Sequence, residues 1–386
     1  MSLSKDLFLL DPAVAFLNHG SFWACPVPVF AVYQEWQRRL ERQPVLLLGR
    51  EIQSLDRQAR QALGAYLGAA ADDLAFVTNA THGVNLVARS LRLQPGDEIL
   101  TSDHEYGACD YTWEFICGLS GAHYRRQPVP LPAHSAGEIV EQIWSGVTER
   151  TRLIYLSHIT SPTALRLPVE AICRRARQAD ILTLVDGAHA PGQAALDLPA
   201  IGADFYTGNC HKWMLAPKGA AFLYARPECQ ALLEPLVVSW GYGADEHTTS
   251  GSRFIDLLGW SGTYDPAARL SVPAAIDFMA QHNWPQVQAE CAALLDETLV
   301  QINQLPGLPP LYPPGQGFYH QMAAAALPPQ VDLAALKTRL YDDYRVEVPL
   351  IEWNGRKLVR ISIQGYNTPT DTTRLVEALG CLLPTG

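Results

Sequence analysis

Between residues 74 and 240, short strand-like runs alternate with longer helical patterns. The series starts with the run LAFVT (74–78), which the helical pattern THGVNLVARSL (81–91) follows. The later strand-like runs are DEILTS, TRLIYLSHI, ILTLVD, ADFYTG and AAFLYA. The central runs are apolar on both faces, which is typical of strands that helices cover on each side. This alternation predicts an α/β domain built on a mostly parallel sheet.

The pattern changes after about residue 265 and indicates a smaller α+β unit. Helical patterns occupy 271–283, 288–303 and 370–379, and a strand-like run occupies 317–327. Residues 346–363 predict a hairpin, because the pair Asn354-Gly355 favours a tight primed turn. The proline-rich segment 305–317 predicts a loop between the helical and strand-like parts.

The composition limits the classes of partner. Hydrophobic residues make up 48% of the 386 positions and charged residues only 18%, which is typical of a chain with a large packed core. The net charge of −10 disfavours nucleic acid and anionic membrane surfaces. No run approaches the ~20 apolar residues of a membrane span, and the first twenty residues lack a secretion-signal pattern. The eight cysteines form no CxxC pair or His/Cys cluster, so we expect a cytoplasmic protein without a metal site or disulfide framework.

Polar residues stand at the ends of two of the predicted strands, where open α/β sheets bind their ligands. FVTNATHGVNLVA places residues 78–83 between a strand and a helix, and the free N–H groups of that helix, with the Thr81 hydroxyl, suit a phosphate. An ordinary N-cap role for Thr81 fits the same pattern. ILTLVDGAHA ends a strand in Asp186, with His189 three residues later. A carboxylate at this place can cap a turn or pair with a cationic ring nitrogen.

Two lysines lie six positions apart in NCHKWMLAPKGAAFLYA (209–225). Lys212 follows the polar end of a strand, whereas Lys218 lies in a Pro/Gly turn, where we expect it to face solvent or a local acceptor. Pyridoxal phosphate (PLP) requires a lysine for its aldehyde, a carboxylate for its pyridine nitrogen and a helix N-terminus for its phosphate. Lys212, Asp186 and the turn at Thr81 match these three requirements in the right topological places.

Motifs along nearly the whole chain carry a family resemblance. In order from residue 16 to 368 they are FLNHGSFWACP, FVTNATHGVNLVA, SDHEYGACD, SHITSPT, VDGAHAPGQ, GADFYTGNCHKW, WSGTYDP and VRISIQGYNT. With these motifs the chain resembles the class V aminotransferase-fold enzymes, in particular the isopenicillin N epimerase-like group, which is related to the cysteine desulfurases. The resemblance implies the PLP-dependent transferase fold, aspartate aminotransferase-like and of fold type I. It also implies an N-terminal segment (1–20) near the active site, a large cofactor-binding domain (21–264) and a small C-terminal domain (265–386).

The resemblance assigns roles around the cofactor. Lys212 would form the Schiff base and act as the base, Asp186 would pair with the pyridine nitrogen, and His189 would donate to the phenolic oxygen. The phosphate would be held by Ala80, Thr81, His82, Asn209 and His211. Thr263 would reach the phosphate of a neighbouring subunit, which implies a homodimer with its active sites at the subunit interface.

Further positions are matched with less particular roles. The resemblance places Tyr106 as an aromatic ring stacked on the cofactor, His158 near the phenolic oxygen and Arg360 on the substrate carboxylate, a task suited to its planar guanidinium. Asn18 and His19 belong to a segment near the substrate. Each has a plainer alternative: Tyr106 as a half-buried core residue, His158 as a structural hydrogen-bonding residue, and Arg360 as an outward-facing arginine on an alternating strand.

The residues leave several reactions open once the α-proton of an amino acid has been removed. Return of a proton to the opposite face gives epimerisation and needs a second acid, for which Tyr106 is the candidate. Loss of a β-substituent gives a C–S lyase, which needs Lys212 alone, and protonation of the cofactor gives transamination. The segment DDYRVEVPLIEW lacks the mobile cysteine of desulfurases, so persulfide transfer by that route is not expected. A non-catalytic PLP-binding protein is the alternative from another class.

Overall fold

The computed structural model describes residues 3–243, 250–305, 310–313 and 317–384. Its strands are β1 Ala15–Phe16, β2 Leu74–Val77, β3 Glu98–Ser102, β4 His123–Gln127, β5 Thr151–Ser157, β6 Leu182–Asp186, β7 Phe205–Asn209, β8 Ala221–Ala225, β9 Met322–Leu327, β10 Val346–Glu347, β11 Leu350–Trp353 and β12 Arg356–Ser362. Its α-helices are α1 His19–Phe22, α2 Val27–Arg42, α3 Pro44–Leu46, α4 Ile52–Leu67, α5 Ala80–Ser90, α6 Gly107–Ser120, α7 Ala136–Trp144, α8 Val169–Gln178, α9 Leu198–Ile201, α10 Arg253–Gly259, α11 Ala267–Leu270, α12 Val272–Gln281, α13 Trp284–Asn303, α14 Leu333–Tyr344 and α15 Pro369–Leu382. A π-helical turn, Leu47–Glu51, joins α3 to α4.

The large sheet has seven strands in the order β2-β8-β7-β6-β5-β3-β4. Strands β4, β3, β5, β6 and β7 are parallel, and only β8 runs against its two neighbours, β7 and β2. Every residue of β2, β3, β7 and β8 is buried, because helices pack on both faces of the sheet. The predicted α/β fold with a mostly parallel, mixed sheet is therefore confirmed.

A smaller sheet forms in the C-terminal part, with strands in the order β11-β12-β9 and antiparallel pairing throughout. Asn354 and Gly355 both adopt positive φ (48° and 72°) between β11 and β12, as the predicted hairpin turn requires. Strand β1 pairs with β10, so the N-terminal segment adds to the C-terminal part rather than to the large sheet. The proline-rich loop 305–317 lies partly outside the described residues. Among the described residues, every helix is too short or too polar to span a membrane.

Helix α5 packs closely against the large sheet at its N-terminal turn. A Cβ atom on Gly83 would overlap the side chain of Thr207 on β7, and Gly83 is buried. This contact keeps the first turn of α5 at the carboxyl end of the sheet. The lack of a side chain at Gly83 therefore allows the N-terminal turn of α5 to lie this close to β7.

Replacing Gly83 with alanine is expected to lower the free energy of unfolding by about 1–3 kcal/mol, because the added methyl group overpacks the contact with Thr207. Urea unfolding followed by circular dichroism measures the change. Gly118→Ala is the matched control: this exposed glycine of α6 has open space at the Cβ position, so alanine there should stabilise by roughly 0.5–1 kcal/mol. Equal effects of the same sign in both variants would contradict the packing argument.

Candidate active site

A cavity of about 230 Å³ lies at the carboxyl ends of β5, β6 and β7. It brings together most of the residues that the sequence singles out: Ala80, Thr81, Tyr106, Asp186, His189, Asn209, His211 and Lys212. Three larger cavities, of about 410, 440 and 940 Å³, contain none of these residues. Because reaction chemistry depends on convergent functional groups rather than on volume, the smaller cavity is the candidate active site.

Lys212 lies three residues beyond β7 and reaches into the cavity. Its Nζ lies 3.1 Å from Nε2 of His189. Burial and the nearby positive charge of Arg360 lower the pKa of Lys212 to about 8, with Asp186 acting in the opposite direction. A sizeable fraction of the amine is therefore neutral near pH 7.5, which a nucleophilic or basic lysine requires.

Lys218, the second lysine of the motif, has a different environment. It is exposed, its Nζ donates to the backbone oxygen of Trp23 at 3.2 Å, and it lies 5.1 Å from the centre of the Trp23 ring. It does not line the cavity. Lys218 thus bonds a local acceptor, as its position in a turn predicts.

Asp186 ends β6 and is buried at the cavity wall. One carboxylate oxygen accepts the N–H of Ala188 at 2.9 Å, and the other accepts the hydroxyl of Tyr155 at 3.3 Å and faces the thiol of Cys109 at 3.8 Å. Burial raises the pKa of Asp186, and these donors and Lys212 oppose that shift. The second oxygen has only long contacts, so this enclosed carboxylate can gain from a cationic partner in the cavity.

The N-terminus of α5 supplies fewer free donors than the sequence suggests. Oδ1 of Asn79 accepts the N–H of His82, and Oδ1 of Asn209 accepts the N–H of Ala80, each at 2.8 Å. Among the described residues, the backbone N–H and hydroxyl of Thr81 have no partner. Thr81 is therefore the residue of this turn that can donate to an anion, with the helix dipole adding to the attraction.

His211 completes this end of the cavity. Its ring stacks on Trp23 with centroids 4.1 Å apart and an interplanar angle of 13°, and its Nδ1 is buried without a partner in the described chain. Burial and the charges of Lys212 and Lys218 lower the pKa of His211 to about 3, so the ring is neutral. A buried nitrogen without a partner beside a helix N-terminus fits a phosphate, which can accept its hydrogen bond.

Arg360, on β12, lies directly behind the cavity wall. It is only 3% exposed, which excludes the outward-facing alternative. Its guanidinium donates to the hydroxyl of Ser21 at 2.7 Å and to the backbone oxygen and hydroxyl of Ser161 at 2.5 and 3.1 Å. Ser21 and Ser161 both line the cavity. Burial lowers the pKa of Arg360 to about 10, so the group stays cationic at neutral pH.

Tyr106 is the residue directly before α6, far from Lys212 in sequence. It lines the cavity and is 46% exposed. Its backbone oxygen accepts the N–H groups of Cys109 and Asp110, which anchors the residue to the start of the helix. Tyr106 and Lys212 thus line the same cavity from different parts of the chain.

His158 is not brought to the cavity. It directly follows Ser157, the last residue of β5, which lines the cavity, and neighbouring side chains of an extended segment point to opposite sides. The His158 ring is buried, with Nδ1 3.0 Å from the hydroxyl oxygen of Tyr206. These surroundings fit the alternative, a structural hydrogen-bonding residue, and the contact between His158 and the phenolic oxygen stays a prediction.

Four other expected site residues lie outside the cavity lining. Nδ2 of Asn18 donates to Oε1 of Glu347 at 3.3 Å. His19 bonds the hydroxyl of Tyr366 (2.9 Å) and the backbone oxygen of Lys212 (3.3 Å), so it contacts the lysine through the main chain. Nδ1 of His82 lies 3.2 Å from the Thr78 hydroxyl oxygen, and Thr263 is exposed on a loop.

Three residues at or behind the cavity, Ser21, Ser161 and Glu105, were not predicted from the sequence. Ser21 and Ser161 lie within the motifs HGSFW and SHITSPT, in which His19 and His158 were predicted as site residues. Glu105 is buried behind Ser157, whose backbone N–H and hydroxyl donate to it at 2.8 and 2.6 Å. Burial raises the pKa of Glu105 to about 8. In the sequence, the only indication that Glu105 lies near the site is its position next to Tyr106 in the motif SDHEYGACD.

The residues present fit PLP. A lysine with a lowered pKa, a buried strand-end carboxylate and an anion site with an unpartnered imidazole nitrogen converge on one cavity. The protein is therefore a PLP-dependent enzyme. The sequence profile of aminotransferase class V matches residues 29–375, and the chain belongs to the class V aminotransferase family. The cofactor and the family expected from the sequence are confirmed.

Relatives of this chain include two isopenicillin N epimerases. That of Amycolatopsis lactamdurans is 40% identical over 97% of both chains, and that of Streptomyces clavuligerus is 37% identical over 98% of this chain and 97% of its own. A probable chloroplastic L-cysteine desulfhydrase of Arabidopsis thaliana is 30% identical over 97% of this chain and 84% of its own.

Among solved structures, the cystine C–S lyase C-DES in complex with cysteine persulfide has a similar fold. It has a TM-score of 0.85 at 23% identity and covers 97% of this chain and 99% of its own. This likeness confirms the predicted PLP-dependent transferase fold.

Proposed function

We propose that this enzyme epimerises an amino acid, or an amino-acid-derived compound of the isopenicillin N type, at Cα. The coverage and identity of the two epimerase relatives support this proposal. The observation that carries it is a second proton-carrying side chain, the Tyr106 phenol, at the cavity that Lys212 also lines. Inversion requires one group to take a proton and another to give one from a different side, and these residues come from different elements.

The cavity residues would divide the work of holding the cofactor. Lys212 would hold it covalently, Asp186 would keep its ring nitrogen protonated, and His189 would donate to its phenolic oxygen. Thr81, His211 and Asn209, with the N-terminus of α5, would hold the phosphate. When bound, the cofactor supplies the electron sink that acidifies the α-proton of an attached amino acid.

Lys212 would carry one of the two protons. Because burial lowers its pKa to about 8, its amine can both take a proton and return it near neutral pH. Tyr106 would carry the other. Arg360, held behind Ser21 and Ser161, would orient the substrate through its carboxylate.

A C–S lyase acting on a cysteine-derived substrate is the second candidate, which the desulfhydrase relative favours. It would need Lys212 alone as proton carrier. Persulfide transfer is disfavoured, because no cysteine is among the described residues that line the cavity and burial raises the pKa of Cys210. A non-catalytic PLP-binding role is disfavoured by Lys212, Asp186 and Arg360 being together, and a visible spectrum that no amino acid changes would support it.

Tyr106→Phe is expected to slow inversion by about 10²- to 10⁴-fold while exchange of the α-proton continues, because the variant keeps Lys212 but lacks the second proton carrier. Isopenicillin N and L-amino acids are incubated in deuterated water and analysed by chiral chromatography and mass spectrometry. The wild type should give deuterium with inverted configuration, and the variant deuterium with retained configuration.

Tyr341→Phe is the control, because this tyrosine on α14 is 39% exposed and lies outside the cavity lining. Inversion at the wild-type rate by the Tyr106 variant would exclude Tyr106 as the proton carrier. Formation of pyruvate with a thiol or sulfide, without inversion, would favour the lyase.

Arg360→Lys is expected to lower kcat/KM by roughly 10- to 100-fold, mostly through KM, because an ammonium cannot reproduce the planar two-pronged contact with a carboxylate. Steady-state kinetics and the visible spectrum of the bound cofactor are the measurements, and the spectrum should stay unchanged. Arg356→Lys on the same strand is the control, since Arg356 bonds only the backbone oxygen of Leu131 in the described structure. An unchanged KM in the Arg360 variant would remove Arg360 from substrate binding.

We also infer a cytoplasmic homodimer. Thr263 lies outside the cavity of its own chain, so a role at a phosphate requires a second subunit. Tyr111, Phe115 and Leu119 expose an apolar stripe along α6, directly after Tyr106, that a second copy can cover. All eight cysteines are free, as in proteins of reducing compartments. Light scattering should give twice the chain mass.

A further inference from the structure

Two consecutive contacts connect a buried tryptophan to the candidate catalytic lysine. The indole Nε1 of Trp213 lies 3.3 Å from Nδ1 of His189, and Nε2 of the same histidine lies 3.1 Å from Nζ of Lys212. Trp213 is completely buried among apolar residues, and its ring contacts that of His19 with centroids 4.9 Å apart. Packing on this scale fixes the direction of the indole N–H.

The indole nitrogen decides which nitrogen of His189 carries the proton. A tryptophan Nε1–H can only donate, so Nδ1 of His189 must accept and carries no hydrogen. The imidazole is neutral, because burial and the nearby charges of Lys212 and Arg360 hold the pKa of His189 well below its usual range. The single proton of the ring is therefore at Nε2, the nitrogen that faces Lys212.

We propose that Trp213 is a positioning residue that fixes the tautomer of His189, so that Nε2 is a permanent hydrogen donor toward Lys212 and toward the phenolic oxygen of the cofactor. The second part of this inference rests on the proposed cofactor contacts of His189. In the other tautomer, Nε2 would present a lone pair to the phenolic oxygen and would repel it. The tryptophan thus determines whether His189 attracts or repels the cofactor oxygen.

The same arrangement acts on Lys212. An Nε2–H donor can bond only the lone pair of a neutral amine, so the fixed tautomer favours the neutral form of Lys212. The titratable and charged groups that otherwise act on Lys212 are Arg360, which favours the neutral form, and Asp186 and Cys109, which favour the charged form. Trp213 adds a contribution through hydrogen-bond direction rather than through charge.

The tautomer can be measured without turnover. Protein labelled with ¹⁵N-histidine is studied by long-range ¹H–¹⁵N correlation spectroscopy, with and without PLP, and the signals of His189 are assigned by their loss in His189→Gln. The wild type should show a protonated Nε2 and an unprotonated Nδ1. Trp213→Phe keeps a large aromatic ring but removes the donor, and it should show His189 protonated at Nδ1 in part or in full.

A second readout is the pH titration of the visible absorption band of the holoenzyme. Losing one fixed donor to the phenolic oxygen in Trp213→Phe should raise its midpoint by about one pH unit, the value of one hydrogen bond. Trp284→Phe is the matched control: Trp284 is also buried, but its Nε1 donates to the backbone oxygen of Gly192 at 2.8 Å, so neither readout should change.

Wild-type His189 protonated at Nδ1 would overturn the inference, even if Trp213→Phe failed to fold. A Trp213→Phe protein with the wild-type tautomer and an unchanged midpoint would overturn it equally. Failure of the proposed epimerase function is a separate result, since the tautomer can be as stated in a protein that inverts no amino acid.

Discussion

Replacing Lys212 with alanine is expected to abolish covalent attachment of PLP and to lower turnover by about 10⁴-fold or more. The variant loses both the nucleophile for the cofactor aldehyde and the amine that carries the α-proton, and each task contributes factors of this order. No other lysine lines the cavity among the described residues, so no nearby amine can take over. Borohydride reduction of the PLP-loaded protein, followed by peptide mapping, should label residue 212 in the wild type and leave the variant unlabelled.

The pH dependence of this attachment has a definite sign. Because the pKa of Lys212 is lowered to about 8, the neutral fraction at pH 7.5 is roughly a quarter, compared with roughly a thousandth for an ordinary lysine. Covalent uptake of PLP by the apoprotein should therefore accelerate as the pH rises through about 8 and then level off. A rate that rises only above pH 10 would mean that the surroundings do not perturb the lysine.

Lys218→Ala is the matched control, because it removes the other lysine of the same motif. Lys218 is exposed and donates to a backbone oxygen of Trp23, so the label at residue 212 should persist and turnover should stay within about threefold of the wild type. Label on the peptide that carries Lys218, or no label in fully loaded wild-type protein, would refute the assignment of Lys212.

The large sheet could be predicted from the sequence because its central strands are buried on both faces. A short apolar run such as ILTLVD is typical of a strand that is covered on both faces. Strand β4, HYRRQ, was not predicted, because it is an edge strand of polar residues that carries no such signal. The N-terminal helices α2 and α4 were also missed; both are amphipathic, and α11 and α12 pack against them.

The site could be predicted where strand ends determine it. Asp186 and Lys212 each follow a buried strand, and the carboxyl ends of parallel strands meet at one edge, so sequence order alone brings them together. The position of His158 is harder to predict, because it depends on the side to which a side chain points at the end of β5, and a shift of one residue exchanges the sides. Ser157 occupies the cavity side instead.

A second reason why the site differs from the sequence prediction is that protein side chains already accept hydrogen bonds from N–H groups that were expected to bind the phosphate. Asn79 and Asn209 accept two of the N–H groups of α5 that the sequence offers to a phosphate. The contact between Asn209 and Ala80 joins residues 129 positions apart, and a local pattern cannot indicate it. The link from Trp213 through His189 to Lys212 also depends on tertiary packing, although Trp213 directly follows the lysine in sequence.

Replacing Asp186 with asparagine is expected to lower kcat by roughly 30- to 5,000-fold while leaving covalent attachment of PLP through Lys212 intact. Asparagine has nearly the same shape and can still accept the N–H of Ala188, so the end of β6 should keep its conformation. Its neutral amide cannot hold a proton on the ring nitrogen of the cofactor. Loss of one partner from a buried charge pair costs about 2–5 kcal/mol, which corresponds to this range of rates.

Asp204→Asn separates this effect from the general cost of removing a buried carboxylate. Asp204 is buried at the other end of the same strands, where it accepts the N–H of Thr183 at 2.8 Å and a guanidinium N–H of Arg226 at 2.6 Å. That variant should lose stability in urea unfolding but keep its kcat and its cofactor spectrum, because no cofactor atom depends on Asp204. The Asp186 variant should show the reverse, a changed spectrum and a low kcat with nearly unchanged stability. Turnover within about threefold of the wild type in Asp186→Asn would show that the carboxylate caps its turn without controlling the cofactor.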